Sequence, residues 1–188
     1  DPMLTSTILS AYENADLPQN LIFGICDQSA KSIDLDNFSF ENQIKYDLVD
    51  PVISEGPCWA RTRVQKMFEN EDYYLQIDSH MQFQKGWDSY LIKNLNLIQS
   101  INTNMHQLPI ITCYPRSFEV IDFEKNIFEL NSSDKNTQVI SYRKDSMFIK
   151  KSFCRQIGSV ADCEISHGYL LAAGCLFSTK EFVKEIPL

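Results

Sequence analysis

The sequence predicts an α/β fold, and three observations carry that prediction. A stretch of helical apolar spacing opens the chain. A continuous apolar run follows it after a break. A second strand-like run then ends in polar residues just before another helix. Helix, short loop and buried strand in that order is the sequence pattern of an α/β protein.

Over residues 3–15 the apolar positions Leu4, Ile8, Ala11 and Ala15 recur at helical spacing. Asp16-Leu17-Pro18-Gln19-Asn20 breaks that helix. Leu21 to Cys26 is apolar throughout, as expected of a strand buried on both faces. Residues 29–47 are polar and irregular and read as a surface excursion. Val49 to Ile53 reads as a short strand, and Pro51 within it places that strand at a sheet edge. After a turn at Gly56-Pro57, a helix from Ala60 to Asn70 carries Ala60, Val64, Met67 and Phe68 on one face. Tyr73 to Asp78 is the next strand. Gly86-Trp87-Asp88 opens a helix with Leu91, Leu95 and Ile98 on one stripe, and Pro109 to Tyr114 is another apolar strand. Residues 117–165 mix aromatic and branched residues with charge and read as strands and loops. Ser178-Thr-Lys-Glu181 has the form of a capping box and predicts a short helix through Lys184.

The bulk properties bound the function. A chain of 188 residues suffices for one domain of ordinary size with a real core. An apolar fraction of 44% with 22% charged residues is that of a soluble globular protein. The net charge is −8, and no basic cluster is longer than Lys150-Lys151, so the face a nucleic-acid binder presents is missing. An acidic protein can still hold an anionic ligand if a metal ion or a local basic spot cancels the repulsion.

Cysteines lie at 26, 58, 113, 154, 163 and 175, with no pair in C-x-x-C spacing, which argues against a zinc ribbon or a thioredoxin-like motif. Cys26, Cys113 and Cys175 sit in apolar runs, where free thiols behave as small hydrophobes. Reduced thiols are the expectation, and with them a cytoplasmic location. No run of about 18 apolar residues exists, so no membrane span is expected. The chain opens at Asp1-Pro2 without an initiator Met and reads as a fragment or a processed product.

The chemistry concentrates in Glu71-Asp-Tyr-Tyr-Leu-Gln-Ile-Asp-Ser-His80. Alternate side chains of a strand share a face, so Asp78 and His80 point the same way if extended geometry persists past the strand end. A carboxylate and a neutral imidazole side by side are two legs of a divalent-metal site. The carboxyl end of a strand is where open α/β sheets bind ligands. The competing reading is structural: Asp78 capping the following turn, and His80 bonded to a backbone carbonyl.

The surroundings of that pair carry a resemblance. Gly56-Pro-Cys-Trp-Ala-Arg61, Gln65-Lys66, Glu71 to Met81, Phe83 and Gly86-Trp87-Asp88 together resemble the GlcNAc-transferase family, which includes enzymes acting on a hydroxyproline of Skp1. The match is dense over residues 54–92. It is looser at Asp1-Pro2 with Thr5 and Ile8, at Leu21 to Gln28, and at Ala173-Gly174-Cys175-Leu176-Phe177 with Phe182 and Glu185-Ile186-Pro187. A distant similarity to polypeptide GalNAc-transferases falls at Asp78-x-His80 and Gly174-x-x-Phe177.

The resemblance implies a GT-A fold, a Rossmann-like mixed and mostly parallel sheet flanked by helices, as one domain over residues 1–188 incomplete at both ends. It implies a UDP-sugar donor, a protein or glycan hydroxyl as acceptor, and retention of anomeric configuration. It also implies a divalent metal, Mn²⁺ or Mg²⁺, on Asp78 and His80. Among the other candidates, Arg61 can reach a diphosphate as a fork donor or stand as a solvated helix arginine. Gln28 and Asp27 can line the donor pocket or form a turn. Ser79 is taken with Asp78 as donor-binding. Gly174 lets backbone approach the sugar or makes a close packing contact. His167 is the candidate third metal ligand, and a lone histidine is as readily structural. Trp87 reads as core packing and Asp88 as a helix-start carboxylate. A metal-dependent phosphoesterase is the rival enzyme class, weakened by the scarcity of histidines. A non-catalytic nucleotide-sugar-binding module of the same fold is the other alternative.

Overall fold

The computed structural model describes residues 1–101, 108–123, 127–131, 137–142, 155–160 and 171–186, with 137–142 and 155–160 described by their backbone alone. The architecture is mixed α/β, with small sheets and some parallel pairing. Among the described residues there are four α-helices, α1 (Leu4–Asn14), α2 (Pro57–Gln65), α3 (Trp87–Ile101) and α4 (Glu181–Glu185), and nine strands. The strands are β1 (Phe23–Asp27), β2 (Ile44–Leu48), β3 (Tyr73–Ile77), β4 (Ile110–Thr112), β5 (Phe118–Asp122), β6 (Ile127–Leu130), β7 (Thr137–Tyr142), β8 (Arg155–Val160) and β9 (Cys175–Thr179).

Proximity along the backbone groups the chain into two units. One holds Asp1–Tyr74, Ser79–Ile110 and Ser178–Leu188, the other Leu75–Asp78 and Ile111–Phe177. In the first, β1 and β2 run parallel with Phe23 opposite Ile44 and Asp27 opposite Leu48. In the second, β5 pairs antiparallel with β6, and β7 with β8. β3, β9 and β4 form a three-stranded sheet in that order.

The core of the first unit explains why β1 sits where it does. Ile8 of α1, Ile25 of β1, Phe38 and Phe40 are all buried and cluster, with Leu4, Tyr12, Phe23 and Ile44 packed around them. Phe40 stacks on Tyr12 with ring centroids 3.6 Å apart and planes 7° from parallel. Burying such rings contributes about 2 kcal/mol each by area removed from water. Residues 29–47 are therefore not the surface excursion that their polarity predicts. Two phenylalanines in a polar background create no periodicity, yet they supply half of the buried cluster.

The expected strand at Val49 to Ile53 is corrected as well. The strand lies earlier, at β2, and Pro51–Ile53 is a turn of 3₁₀ helix started by the Asp50 carboxylate, which accepts from Val52 N at 2.9 Å. Val49 is buried, whereas Val52 is 87% exposed. Apolar side chains in that stretch thus mark one buried anchor and an exposed loop. The helix predicted from Ala60 to Asn70 starts at Pro57, a residue suited to a first helical position, and ends at Gln65.

The capping box at Ser178 does not form. Ser178 lies inside β9, fully buried, and its hydroxyl donates to the carbonyl of Pro109 at 2.8 Å. α4 begins at Glu181 with Lys180 before it and no side-chain cap. The backbone N–H of Lys180 bonds instead to Asp72 O at 3.0 Å. Sheet pairing took the serine that the local pattern assigned to the helix.

Trp87 and Asp88 are structural, tying α3 to the end of α1. Trp87 Nε1 donates to Ala11 O at 2.9 Å and its ring meets Phe83. Asp88 accepts from Asp16 N at 2.8 Å and Leu17 N at 3.0 Å. Gly86 between α1 and α3 has φ of 73°, and a Cβ there would stand 3.2 Å from the Asp16 carboxylate. Only glycine takes that conformation freely.

Candidate functional site

β3 ends at Ile77, and a turn from Ala172 to Cys175 receives the residue that follows it. Cys175 N donates to Ala172 O at 3.1 Å, and Asp78 N donates to Gly174 O at 3.3 Å. Gln76 Nε2 donates to Ala173 O at 2.8 Å. From β4, the Thr112 hydroxyl accepts from Ala172 N at 2.8 Å and donates to Cys175 O at 2.9 Å. Strands on either side therefore fix this turn by hydrogen bonds.

Gly174 is required there by space. A Cβ on it would overlap Asp78 Oδ2 and lie 3.1 Å from Asp78 Cγ. The Asp78 carboxylate thus rests against bare backbone. Of the residues the sequence singles out, these two are the pair that the second unit brings together.

Ser79 and His80 belong to the first unit and follow a different logic. Both lie in a bend, so strand alternation does not extend to His80 and the expected shared face of Asp78 and His80 has no strand to define it. Ser79 Oγ donates to Asp1 Oδ2 at 3.0 Å, and His80 Nδ1 lies 3.3 Å from the same oxygen. α1 holds the backbone of this loop. Thr7 Oγ1 donates to Ser79 O at 2.8 Å and accepts from Met81 N at 2.9 Å. Ser10 Oγ accepts from Phe83 N at 2.9 Å, and Gln82 Nε2 donates to Ser6 Oγ at 2.8 Å. Ser6, Thr7 and Ser10 are all buried. Small hydroxyls on one face of a helix are suited to satisfying loop backbone groups that would otherwise be buried unpaired.

A family model described as Glycosyltransferase (GlcNAc) matches residues 27–188. The chain belongs to this glycosyltransferase family. No curated protein and no solved structure matches the chain.

In this glycosyltransferase the remaining candidates have partners of their own. Gln28 follows β1, and its Oε1 accepts a close hydrogen bond from Ser54 Oγ. Asp27 beside it is buried and accepts from Tyr46 OH at 2.6 Å. Burial and the hydrogen bond to Asp27 push the Tyr46 phenol up to about 12. Arg61 is half-buried on α2, and its charge acts on Tyr74, whose phenol burial raises. Arg63, two residues on, pairs with Asp47 at 2.6 Å and lies 4.9 Å from the centre of the Trp59 ring. His167 lies outside the described residues, as do His106, Cys154 and Cys163.

Among the described residues no group of three or more His, Cys, Asp or Glu is placed to hold a metal ion. Also among them, no helix is long and apolar enough to cross a membrane.

Sequence reasoning missed Asp1, Thr7 and Ser10 as parts of the loop's support. The available signal was the interruption of the α1 apolar pattern by Ser6, Thr7 and Ser10. Polar residues at positions that a helix buries call for partners, and here the partners are loop 79–83.

Proposed function

We propose that this glycosyltransferase transfers N-acetylglucosamine from UDP-GlcNAc to an acceptor hydroxyl with retention of configuration, using a divalent metal held by Asp78 and His80. The fold we propose for it is GT-A. The observation that carries the reading is the Asp78 carboxylate packed on Gly174, where a Cβ would overlap it. A hard carboxylate with an imidazole neighbour in sequence suits Mn²⁺ or Mg²⁺. Such ions commonly take one or two protein ligands and complete their shell with water and substrate phosphates, so a group of three protein ligands is not needed.

The residues divide the work. Asp78 supplies the charged ligand, and the missing side chain at Gly174 lets that carboxylate sit against bare backbone. A neutral His80 ring that donates from Nδ1 to Asp1 keeps its Nε2 lone pair for coordination, the usual arrangement for a histidine oriented by a carboxylate. A metal on Asp78 and His80 would supply positive charge for the diphosphate of the leaving UDP. Arg61 offers fork-geometry donors for the same diphosphate. Gln28 and Ser79 are assigned to the donor pocket, and His167 to a third ligand position.

Release of UDP from UDP-GlcNAc, with Mn²⁺ and with excess EDTA, tests the reading. UDP release that requires Mn²⁺ and is lost in His80→Ala supports it. Release indifferent to EDTA would contradict the metal's role, and binding of UDP-GlcNAc without any release would make the chain a binding module.

A further inference from the structure

We propose that Cys113 and Cys175 are a redox modification site, closing to an intramolecular disulfide on exchange with a low-molecular-weight disulfide such as glutathione disulfide, and that closure weakens donor binding at Asp78. The two sulfurs lie 3.8 Å apart. Both residues belong to the second unit, one just after β4 and the other at the start of β9. Those strands are neighbours in the sheet.

Their register is set by the preceding residue. The Thr112 hydroxyl holds Ala172 N and Cys175 O, so the cysteines are brought together by fixed backbone and not by chance side-chain approach. Closing the bond needs the sulfurs to move to about 2 Å, a shift small enough for side-chain rotation and slight backbone adjustment. Both residues are partly exposed, which leaves a small disulfide a route to the pair.

The chemistry balances without any further reactant. The Cys113 thiolate attacks one sulfur of glutathione disulfide, forming a mixed disulfide and expelling one glutathione thiolate. Cys175 then loses its proton and attacks the Cys113 sulfur, expelling the second glutathione. Two protein thiols are oxidised and one glutathione disulfide is reduced to two glutathiones. The shared sulfur contact lowers the Cys113 thiol and raises Cys175.

The link to donor binding rests on the metal-site reading above. Cys175 follows Gly174 directly, and a Cβ on Gly174 would overlap the Asp78 carboxylate. The Asp78 charge is also felt at Cys175. Drawing Cys175 toward Cys113 moves the turn on which Asp78 rests.

The experiment equilibrates the full chain with glutathione disulfide, blocks free thiols, and maps peptides by mass spectrometry. In parallel, UDP-GlcNAc binding is measured in the reduced and oxidised forms. A linked Cys113–Cys175 peptide is expected, lost in Cys113→Ser and in Cys175→Ser. Oxidation should weaken binding about 10-fold, the low end for a disturbed ligand surround. Dithiothreitol should restore it, and Cys113→Ser should bind equally well with and without oxidant. Wild type with both thiols still free, or linked to other cysteines, would overturn the site. A linked peptide with unchanged affinity would overturn the coupling to the donor. Failure of the reduced protein to bind UDP-GlcNAc would take down the metal-site reading and the coupling together, while the linked peptide would still establish the disulfide.

Discussion

The carboxylate of Asp78 lies against the α-carbon of Gly174, close enough that a methyl group on that carbon would overlap Oδ2. Gly174→Ala therefore displaces either the carboxylate or the turn from Ala172 to Cys175. The overpacking costs about 1–3 kcal/mol of stability. Metal-dependent UDP-GlcNAc affinity should fall by about 10- to 100-fold, as when a ligand's support is disturbed. Thermal unfolding and calorimetric titration of the same variant separate the two effects.

Asp88 joins α3 to the end of α1 by accepting from Asp16 N and Leu17 N. Burial pushes its carboxyl up, but the backbone N–H groups of Asp16, Leu17, Ser89 and Asp88 itself hold it below its ordinary value. Asp88→Asn should lose about 1.5–3 kcal/mol at pH 7, the scale of hydrogen bonds to a charged acceptor. Because the folded value is depressed, this stabilisation is present above the unfolded value of about 3.9 and lost as pH falls through the folded value. The gap in denaturant midpoint between wild type and Asp88→Asn should therefore narrow below about pH 4.

Tyr46 bridges Asp27 and Ile33. Its hydroxyl donates to Asp27 Oδ2 at 2.6 Å and accepts from Ile33 N at 3.2 Å. Tyr46→Phe leaves a buried carboxylate with one donor fewer and should cost about 1–3 kcal/mol. The phenol is raised to about 12 in the fold. Its contribution is thus complete below the unfolded value of about 10 and disappears as pH rises through the folded one. Stability measured at pH 7 and pH 11 should show wild type converging on Tyr46→Phe.

How far the sequence was legible depended on whether a feature was local. α1 and β3 followed from their own residues, because apolar spacing and strand-length runs are local signals. β2 did not, because its neighbours Phe38 and Phe40 carry no period and its burial comes from Ile8 and Ile25 far away in sequence. Ser178 read as a helix cap because the capping pattern is local, while its actual bond goes to Pro109, just before β4 and far away in sequence. The candidate site divides in the same way. Asp78 stood out through its place at a strand end and Gly174 through family resemblance, but their contact is a product of how β9 pairs. The hydroxyl face of α1 and the Asp1 carboxylate under His80 became visible only once loop 79–83 was seen folded against them.

UDP-GlcNAc titrated into the protein with and without Mn²⁺, in wild type and in Asp78→Ala, bears on the metal and the donor together. Wild type should bind the nucleotide sugar at least about 10-fold more tightly with Mn²⁺ than without it, and Asp78→Ala should bind equally weakly in both. Binding of equal strength in all four titrations would contradict a metal-held donor at Asp78.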